Sequence, residues 1–101
     1  MKPLIIEENA EAELTDSVAF YERRRTGLGL EFEHAAREAV RKIQTDPERH
    51  PLYKDGTRCF VMERFPFTIR YMDLPDAIWI IAFAHTSRKP SYWKARLQSR
   101  P

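Results

Sequence analysis

Cysteine and long apolar runs are scarce in this sequence, and each scarcity excludes a class of protein. The 101 residues include one cysteine, Cys59. A single cysteine forms no internal disulfide, which is typical of a reducing compartment. No apolar run approaches the roughly 18 residues of a membrane-spanning helix, and the first residues lack the apolar stretch of a signal peptide. We therefore expect a cytoplasmic protein with no membrane partner.

The signatures of metal and nucleotide binding are also missing. The three histidines, His34, His50 and His85, are far apart in sequence, and Cys59 stands alone. The segment TGLG is too short for a phosphate-binding glycine loop and has no strand before it. We expect neither a metal site nor a cofactor.

The charge is nearly balanced in total but unevenly distributed. The net charge is +2, with 17 basic and 15 acidic residues. Residues 1–53 carry −3 and residues 54–101 carry +5. From Arg88 onward the chain has five basic residues and no acidic one. Such a tail favours a nucleic acid or an acidic protein segment as partner, and a solvated, frayed C-terminus is the alternative.

Two amphipathic helices follow a short strand. The segment PLIIE, residues 3–7, is β-branched and apolar, as in a strand. Asn9 is then a plausible N-cap for a helix from Ala10 to about Arg25, with Gly27 as a left-handed cap. The second helix ends at Asp46-Pro47, and its apolar stripe consists of Phe32, Ala35, Ala36, Ala39, Val40 and Ile43.

After Gly56 the apolar period changes to two, which predicts three strands. TRCFVMER and FTIRYMD should pair as a hairpin, and IWIIAFA is apolar on both faces, as in a central strand. The C-terminal residues should form a short helix or turn. The sequence therefore predicts one α+β domain over residues 1–101, ordered β-αα-βββ, with a helical hairpin on one face of a small antiparallel sheet.

The strand period assigns side chains to faces of the predicted sheet. Phe67, Ile69 and Tyr71 point one way and should meet the helices, so Arg70 should stand on the uncovered face. We expect Arg70 to lie near the groove where the last strand ends with His85 and the basic tail begins.

The order, the size and three phrases together resemble the RelE/ParE superfamily. These phrases are FYERRRTGLGLEFEHAAREAVRKI, RFPFTIRYMD and IWIIAFAHTSRKPSYWKARL, and the resemblance spans Ile5 to Leu97. The superfamily comprises the toxin halves of bacterial type II toxin–antitoxin modules, which stabilise plasmids. The resemblance implies a cognate antitoxin that wraps the toxin in a hetero-oligomer. The first strand is one candidate edge for adding an antitoxin strand, if the sheet order leaves it exposed.

The superfamily has two activities, and this sequence resembles the ParE branch more closely. RelE-like members cut mRNA on the ribosome, and ParE-like members poison DNA gyrase. Tyr92 matches the C-terminal tyrosine of the nucleases, but Thr68 and Thr86 stand where that branch has basic residues. The resemblance thus favours a binding toxin over an enzyme.

The alternatives remain a ribosome-dependent endonuclease and an inactive homologue that only binds an antitoxin. A nuclease would use Arg70 and Arg88, which are displaced by about two residues from the basic positions of the nuclease branch. Its acid or base would be His85. The candidate catalytic residues are Arg70, His85, Arg88 and Tyr92. The candidate target-binding or antitoxin-binding residues are Arg58, Arg70, His85, Arg88, Lys89, Tyr92, Trp93 and Arg96.

Overall fold

A computed structural model describes every residue from Met1 to Pro101 and has the elements in the predicted order. The elements are β1 (Leu4–Ile6), α1 (Glu8–Arg24), α2 (Leu28–Thr45), β2 (Arg58–Val61), β3 (Phe67–Asp73), β4 (Ile78–His85) and a 3₁₀ helix (Lys94–Ser99). The α+β fold with a helical hairpin on one sheet face is confirmed. No helix is both long and apolar enough to cross a bilayer.

The four strands form one open sheet in the order β1-β4-β3-β2. β2, β3 and β4 are antiparallel neighbours, as predicted. β1 differs in this respect because it runs parallel to β4. A hairpin connection forces antiparallel pairing, but the whole helical hairpin and two strands separate β1 from β4 in sequence. β1 is therefore an edge strand, and β2 forms the other edge.

The first helix begins earlier than the sequence predicts. The Glu7 carboxylate accepts hydrogen bonds from the backbone N–H of Asn9 at 2.8 Å and of Ala10 at 3.3 Å. The predicted cap, Asn9, therefore lies inside the first turn, and Glu7 is the N-cap. A carboxylate satisfies the free N–H groups there and also complements the positive end of the helix dipole.

The two helices approach each other most closely at the start of α2. Gly27 has the predicted left-handed conformation, with a φ of 89°, but it is the N-cap of α2, and the C-cap of α1 is Arg25. A Cβ on Gly29 would lie 2.5 Å from the carbonyl oxygen of Val18. The Glu22 side chain accepts from the N–H groups of Gly27 and Gly29 at 2.9 and 3.1 Å. The hairpin is thus fastened by one carboxylate and two glycines.

The main core lies between the hairpin and the sheet. Five of the six predicted stripe residues of α2 are buried, and Ala35 is half-buried. Phe67, Ile69 and Tyr71 of β3 face the same core, as their alternation predicts. The rings of Tyr21 and Phe32 pack against each other and against those of Phe65 and Phe67, with centroid distances of about 5 to 6 Å.

A second, smaller core lies on the opposite sheet face. The chain after β4, residues 86–101, folds back over this face and is called the C-terminal segment below. Its Trp93 is buried, and Tyr92 and Leu97 pack beside it. The sheet residues beneath are Met72, Trp79, Ile81, Ala82 and Ala84. The face that the sequence predicts to be uncovered is therefore partly covered.

A β-bulge changes which residues of β4 point to each face of the sheet. Tyr71 pairs with Ile80, whereas its neighbour Arg70 pairs with Ala82, so Ile81 is an extra residue in β4. Ile78 and Ile80 face the helices before the bulge, and Phe83 does so after it. His85 pairs with Phe67, a residue of the main core. The bulge therefore turns His85 toward the helix side of the sheet.

Candidate interaction surface at the C-terminal segment

Arg70 projects from β3 into the second face, between two aromatic rings. Its guanidinium carbon lies 4.5 Å from the ring centroid of Tyr53 and 4.7 Å from that of Trp93. Nη1 donates a long hydrogen bond of 3.4 Å to Thr57 Oγ1, and the buried Nε has no partner. Cation–π contacts stabilise a cation held in this way. Arg70 therefore anchors the C-terminal segment to the sheet through Trp93.

His85 lies on the other side of the sheet, which corrects the expected groove shared with Arg70. Its ring contacts Phe67 at a centroid distance of 5.1 Å. Nδ1 lies 3.0 Å from the Ser87 N–H and 2.7 Å from the Ser87 hydroxyl. The ring borders a cleft of about 340 Å³ that α1 also lines with Asp16 and Phe20. The bulge at Ile81 is the physical reason for this separation.

Tyr92 and Arg96 are bound to a carboxylate of α1. The Tyr92 hydroxyl donates to Glu13, and Arg96 donates to both Glu13 oxygens, at 2.9 and 3.1 Å. Arg96 also donates to the carbonyl of Ile81 at 2.9 Å, and the Phe83 N–H donates to Glu13 at 3.1 Å. β1 pairs only with Ile78 to Ile80. Beyond β1, the side chains of Arg96 and Glu13 therefore bond the backbone groups at the free edge of β4.

This network holds the Tyr92 phenol in its neutral form. Burial and the hydrogen bond to the Glu13 carboxylate raise the pKa of Tyr92 above its ordinary value of 10.0. A phenol that donates to a carboxylate and titrates at so high a pH is a poor source of a proton at neutral pH. Tyr92 therefore has a structural role in attaching the segment to α1.

Of the remaining predicted residues, one is half-buried and two are exposed. Arg58 faces the helix side, opposite Tyr71, and donates to the carbonyls of Glu48 and His50 at 3.1 and 2.8 Å. It fastens the loop before β2 and does not share a face with Arg70. Arg88 and Lys89 are exposed, and the Arg88 guanidinium lies 4.0 Å from the Tyr92 ring centroid.

The structure thus brings together Arg70, Trp93, Tyr92 and Arg96 as attachments of one segment. It does not bring Arg70, His85 and Tyr92 to one point. Sequence reasoning missed Glu13, although a signal for it exists. Glu13 lies three residues after Ala10 and four before Ser17, so a helix places it on the same face as both. A carboxylate on an apolar helix face needs a partner.

Acid–base cleavage of RNA requires a proton donor and a proton acceptor at one phosphate. Here His85 faces the cleft beside α1, whereas the hydroxyl of Tyr92 is already bound to Glu13, which lines the same cleft. The exposed cations Arg88 and Lys89 offer positive charge to a partner. The exposed groups of this surface are cations, and its aromatic residue Trp93 is buried.

No protein-family model matches the sequence, and no curated protein matches it. A solved structure does: a chain of the structure described as the chromosomal ParDE TA system from P. aeruginosa superposes with a TM-score of 0.76. The match covers 86% of this chain and 98% of that chain at 21% sequence identity. At this identity the likeness concerns the arrangement of helices and strands, and this chain has the fold of that ParDE chain.

Proposed function

We propose that this protein is the toxin of a type II toxin–antitoxin pair, of ParE type, which poisons DNA gyrase and is neutralised by a cognate antitoxin. The observation that carries the proposal is the fold likeness to the ParDE chain over nearly its whole length. Fold alone does not specify function, so the geometry of the candidate residues has to support the proposal independently.

That geometry supports a toxin that acts by binding. A ribonuclease needs its cations, acid and base around one phosphate. Arg70 and His85 point to opposite faces of the sheet, and the hydroxyl of Tyr92 is already bound to Glu13. Poisoning a target by contact requires only an exposed surface, which Arg88 and Lys89 provide.

The edge strand β1 supports the antitoxin part of the proposal. The N–H of Ile78 donates to the carbonyl of Pro3, and the N–H of Glu7 donates to the carbonyl of Ile80. The backbone hydrogen-bonding groups of every second residue along β1 therefore face β4. The backbone groups of Leu4 and Ile6 then point away from the sheet. An extended antitoxin segment would add a strand at this edge and place a side chain against Ile5, which is 40% exposed.

The proposal is tested by induced expression in bacteria that lack an antitoxin. DNA supercoiling, gyrase–DNA adducts and mRNA integrity are followed in the same culture. We expect growth arrest, adducts and intact mRNA. Codon-positioned mRNA cleavage without adducts would replace gyrase poisoning with the endonuclease activity, and normal growth would support the inactive homologue.

Two variants sharpen this test. His85→Ala removes the nuclease candidate and should leave the arrest unchanged, because His85 faces the cleft beside α1. The double variant Arg88→Ala/Lys89→Ala removes the exposed cations and should weaken the arrest. Arg37→Ala/Arg41→Ala is its charge control, since these two arginines pair with Glu33 and Glu38 on α2. Loss of toxicity in His85→Ala together with loss of mRNA cleavage would contradict the proposal.

A further inference from the structure

The cleft between α1 and the start of the C-terminal segment opens through exposed side chains of both elements. Its volume is about 340 Å³, and its lining includes the buried rings of Phe67 and Phe83. Among the other lining residues, α1 contributes Asp16 and Phe20, and the C-terminal segment contributes Arg88. These three side chains are exposed and are called the cleft mouth below.

Phe20 gives the cleft mouth an apolar group that a partner can reach. It is 45% exposed, and no other large exposed apolar residue lines this cleft. Its ring meets that of Tyr21 edge-on at a centroid distance of 5.3 Å. Protein interfaces obtain most of their binding energy from a few aromatic and arginine side chains at concave sites. Phe20 and Arg88, which line one cleft, are residues of these two types.

The carboxylates of the cleft disfavour a nucleic acid. Asp16 makes no ion pair within 4.0 Å, and it lies four residues before Phe20, so the two are neighbours on α1. A base stacked on Phe20 would bring its phosphate close to this carboxylate, and the two charges would repel each other. Polyglutamate would meet the same repulsion, and it has no apolar side chain for the cleft.

We propose that the cleft mouth docks an apolar side chain of the target protein, while a carboxylate of the same target segment binds Arg88. Arg88 makes no ion pair within 4.0 Å, and its guanidinium lies on the Tyr92 ring at 4.0 Å, which holds it in place for a partner. This inference rests on the proposed function. It adds an apolar anchor to the target surface that Arg88 and Lys89 provide.

His85 borders the cleft without belonging to its mouth. It is half-buried, its ring packs on Phe67 at 5.1 Å, and its Nδ1 is engaged by Ser87. Residues around the anchors of an interface contribute little to affinity. The docking site therefore agrees with the unchanged growth arrest expected for His85→Ala.

Photocrosslinking of the full chain to purified DNA gyrase, with a DNA duplex present, tests which class of molecule enters the cleft. The photoreactive residue p-benzoylphenylalanine replaces Phe20 in one protein and Leu30 in a second. Leu30 is the matched control, because it is 69% exposed and does not line the cleft. We expect a crosslink to a gyrase subunit from position 20 and none from position 30. An excess of the unaltered chain should suppress this crosslink.

Binding to gyrase without DNA, measured by surface plasmon resonance, tests the two groups separately. Phe20→Ala should weaken binding by about tenfold or more, as truncation of an interface anchor does. Arg88→Gln should also weaken it, and this effect should fade as KCl rises because salt screens the ion pair. Leu30→Ala should bind like the unaltered chain. If Phe20→Ala lowers the melting temperature, the crosslink decides, because it keeps an aromatic ring at position 20.

Three results would overturn the docking site alone. A crosslink from position 20 to DNA would identify a nucleic-acid site, and equal crosslinking from positions 20 and 30 would show that the contact is not specific to the cleft. The absence of a crosslink from position 20, while the unaltered chain still traps gyrase on DNA, would place the target contact elsewhere and leave the proposed function intact. Failure of the unaltered chain to bind gyrase would instead refute gyrase poisoning, and the docking site with it.

Discussion

At the scale of single residues, Glu13 connects three parts of the molecule. Its carboxylate receives the Phe83 N–H of β4, the Tyr92 hydroxyl and the Arg96 guanidinium. The side chains of Glu13 and Arg96 are each only 14% exposed. Removing this carboxylate would leave the largely buried Arg96 with only the Glu7 carboxylate, whose Oε2 lies 3.8 Å from Arg96 Nε.

Glu13→Ala should therefore destabilise the protein by about 3 kcal/mol, because Arg96 loses its nearest carboxylate and two further donors lose their acceptor. Urea unfolding followed by circular dichroism measures this. Glu33→Ala is the control, since its partner Arg37 is 70% exposed, and it should change stability by less than about 0.5 kcal/mol. Equal effects of the two variants would show that the Glu13 network adds nothing beyond a surface pair.

His50 should make stability depend on pH. Burial against Phe60, at a ring distance of 4.7 Å, and the charge of Arg49 hold the pKa of His50 below its ordinary value of 6.5. The unfolded chain therefore binds this proton at higher pH than the folded chain, and stability is lost as pH falls below 6.5. His50→Gln should flatten the curve of unfolding free energy between pH 7 and about 5. The exposed His34 provides the control, and His34→Gln should leave the curve unchanged.

Residue-scale prediction from the sequence is limited by competition between neighbours. Asn9 is a preferred cap residue, yet Glu7 performs the capping because β1 ends at Ile6 and leaves Glu7 at the helix entrance. Glu13 and Arg96 are 83 residues apart in the chain. Nothing in local sequence connects them, and only the docking of α1 against β4 makes the ion pair.

At the scale of elements, the helices and β3 were predictable, but the faces to which the β4 side chains point were not. β3 alternates apolar and polar residues, so its faces follow from period two. β4 is apolar at seven of its eight positions and buried on both faces. Its sequence therefore does not show which residues point to which face of the sheet. A bulge within such a strand is invisible to periodicity. The predicted neighbourhood of Arg70 and His85 failed for this reason alone.

The contact between α1 and α2 gives the prediction at this scale. An added methyl group at Gly29 would meet the Val18 carbonyl at 2.5 Å and the Glu22 Cβ at 2.9 Å. Gly29→Ala should destabilise the protein by about 1–3 kcal/mol, because the helices must separate. In an unobstructed helix the same change stabilises by roughly 0.5–1 kcal/mol. A loss of stability in Gly29→Ala would therefore identify the close contact with α1 as the cause. Thermal unfolding followed by circular dichroism measures this change. The neighbouring Leu30 is 69% exposed, and Leu30→Ala should have little effect in the same experiment.

At the scale of the whole molecule, the sheet is covered on both faces by parts of the chain that are distant in sequence. The helical hairpin covers one face, and the C-terminal segment covers part of the other. The segment thus combines two roles. Its inner side, with Trp93 and Leu97, completes a core, and its outer side presents exposed cations that include Arg88 and Lys89.

The C-terminal segment should therefore be required for folding as well as for binding. Ending the chain at His85 would expose Trp79, Ile81 and Met72 as one apolar patch and leave Glu13 without its cation. We expect this shortened protein to lose cooperative unfolding and to aggregate in size-exclusion chromatography. A chain ending at Ser99 retains the contacts of Trp93 with Arg70 and of Arg96 with Glu7 and Glu13, so it should remain monomeric with an unchanged thermal melt. A cooperative, monomeric protein ending at His85 would instead assign the segment to binding alone, with the helical hairpin and the sheet sufficient for the fold.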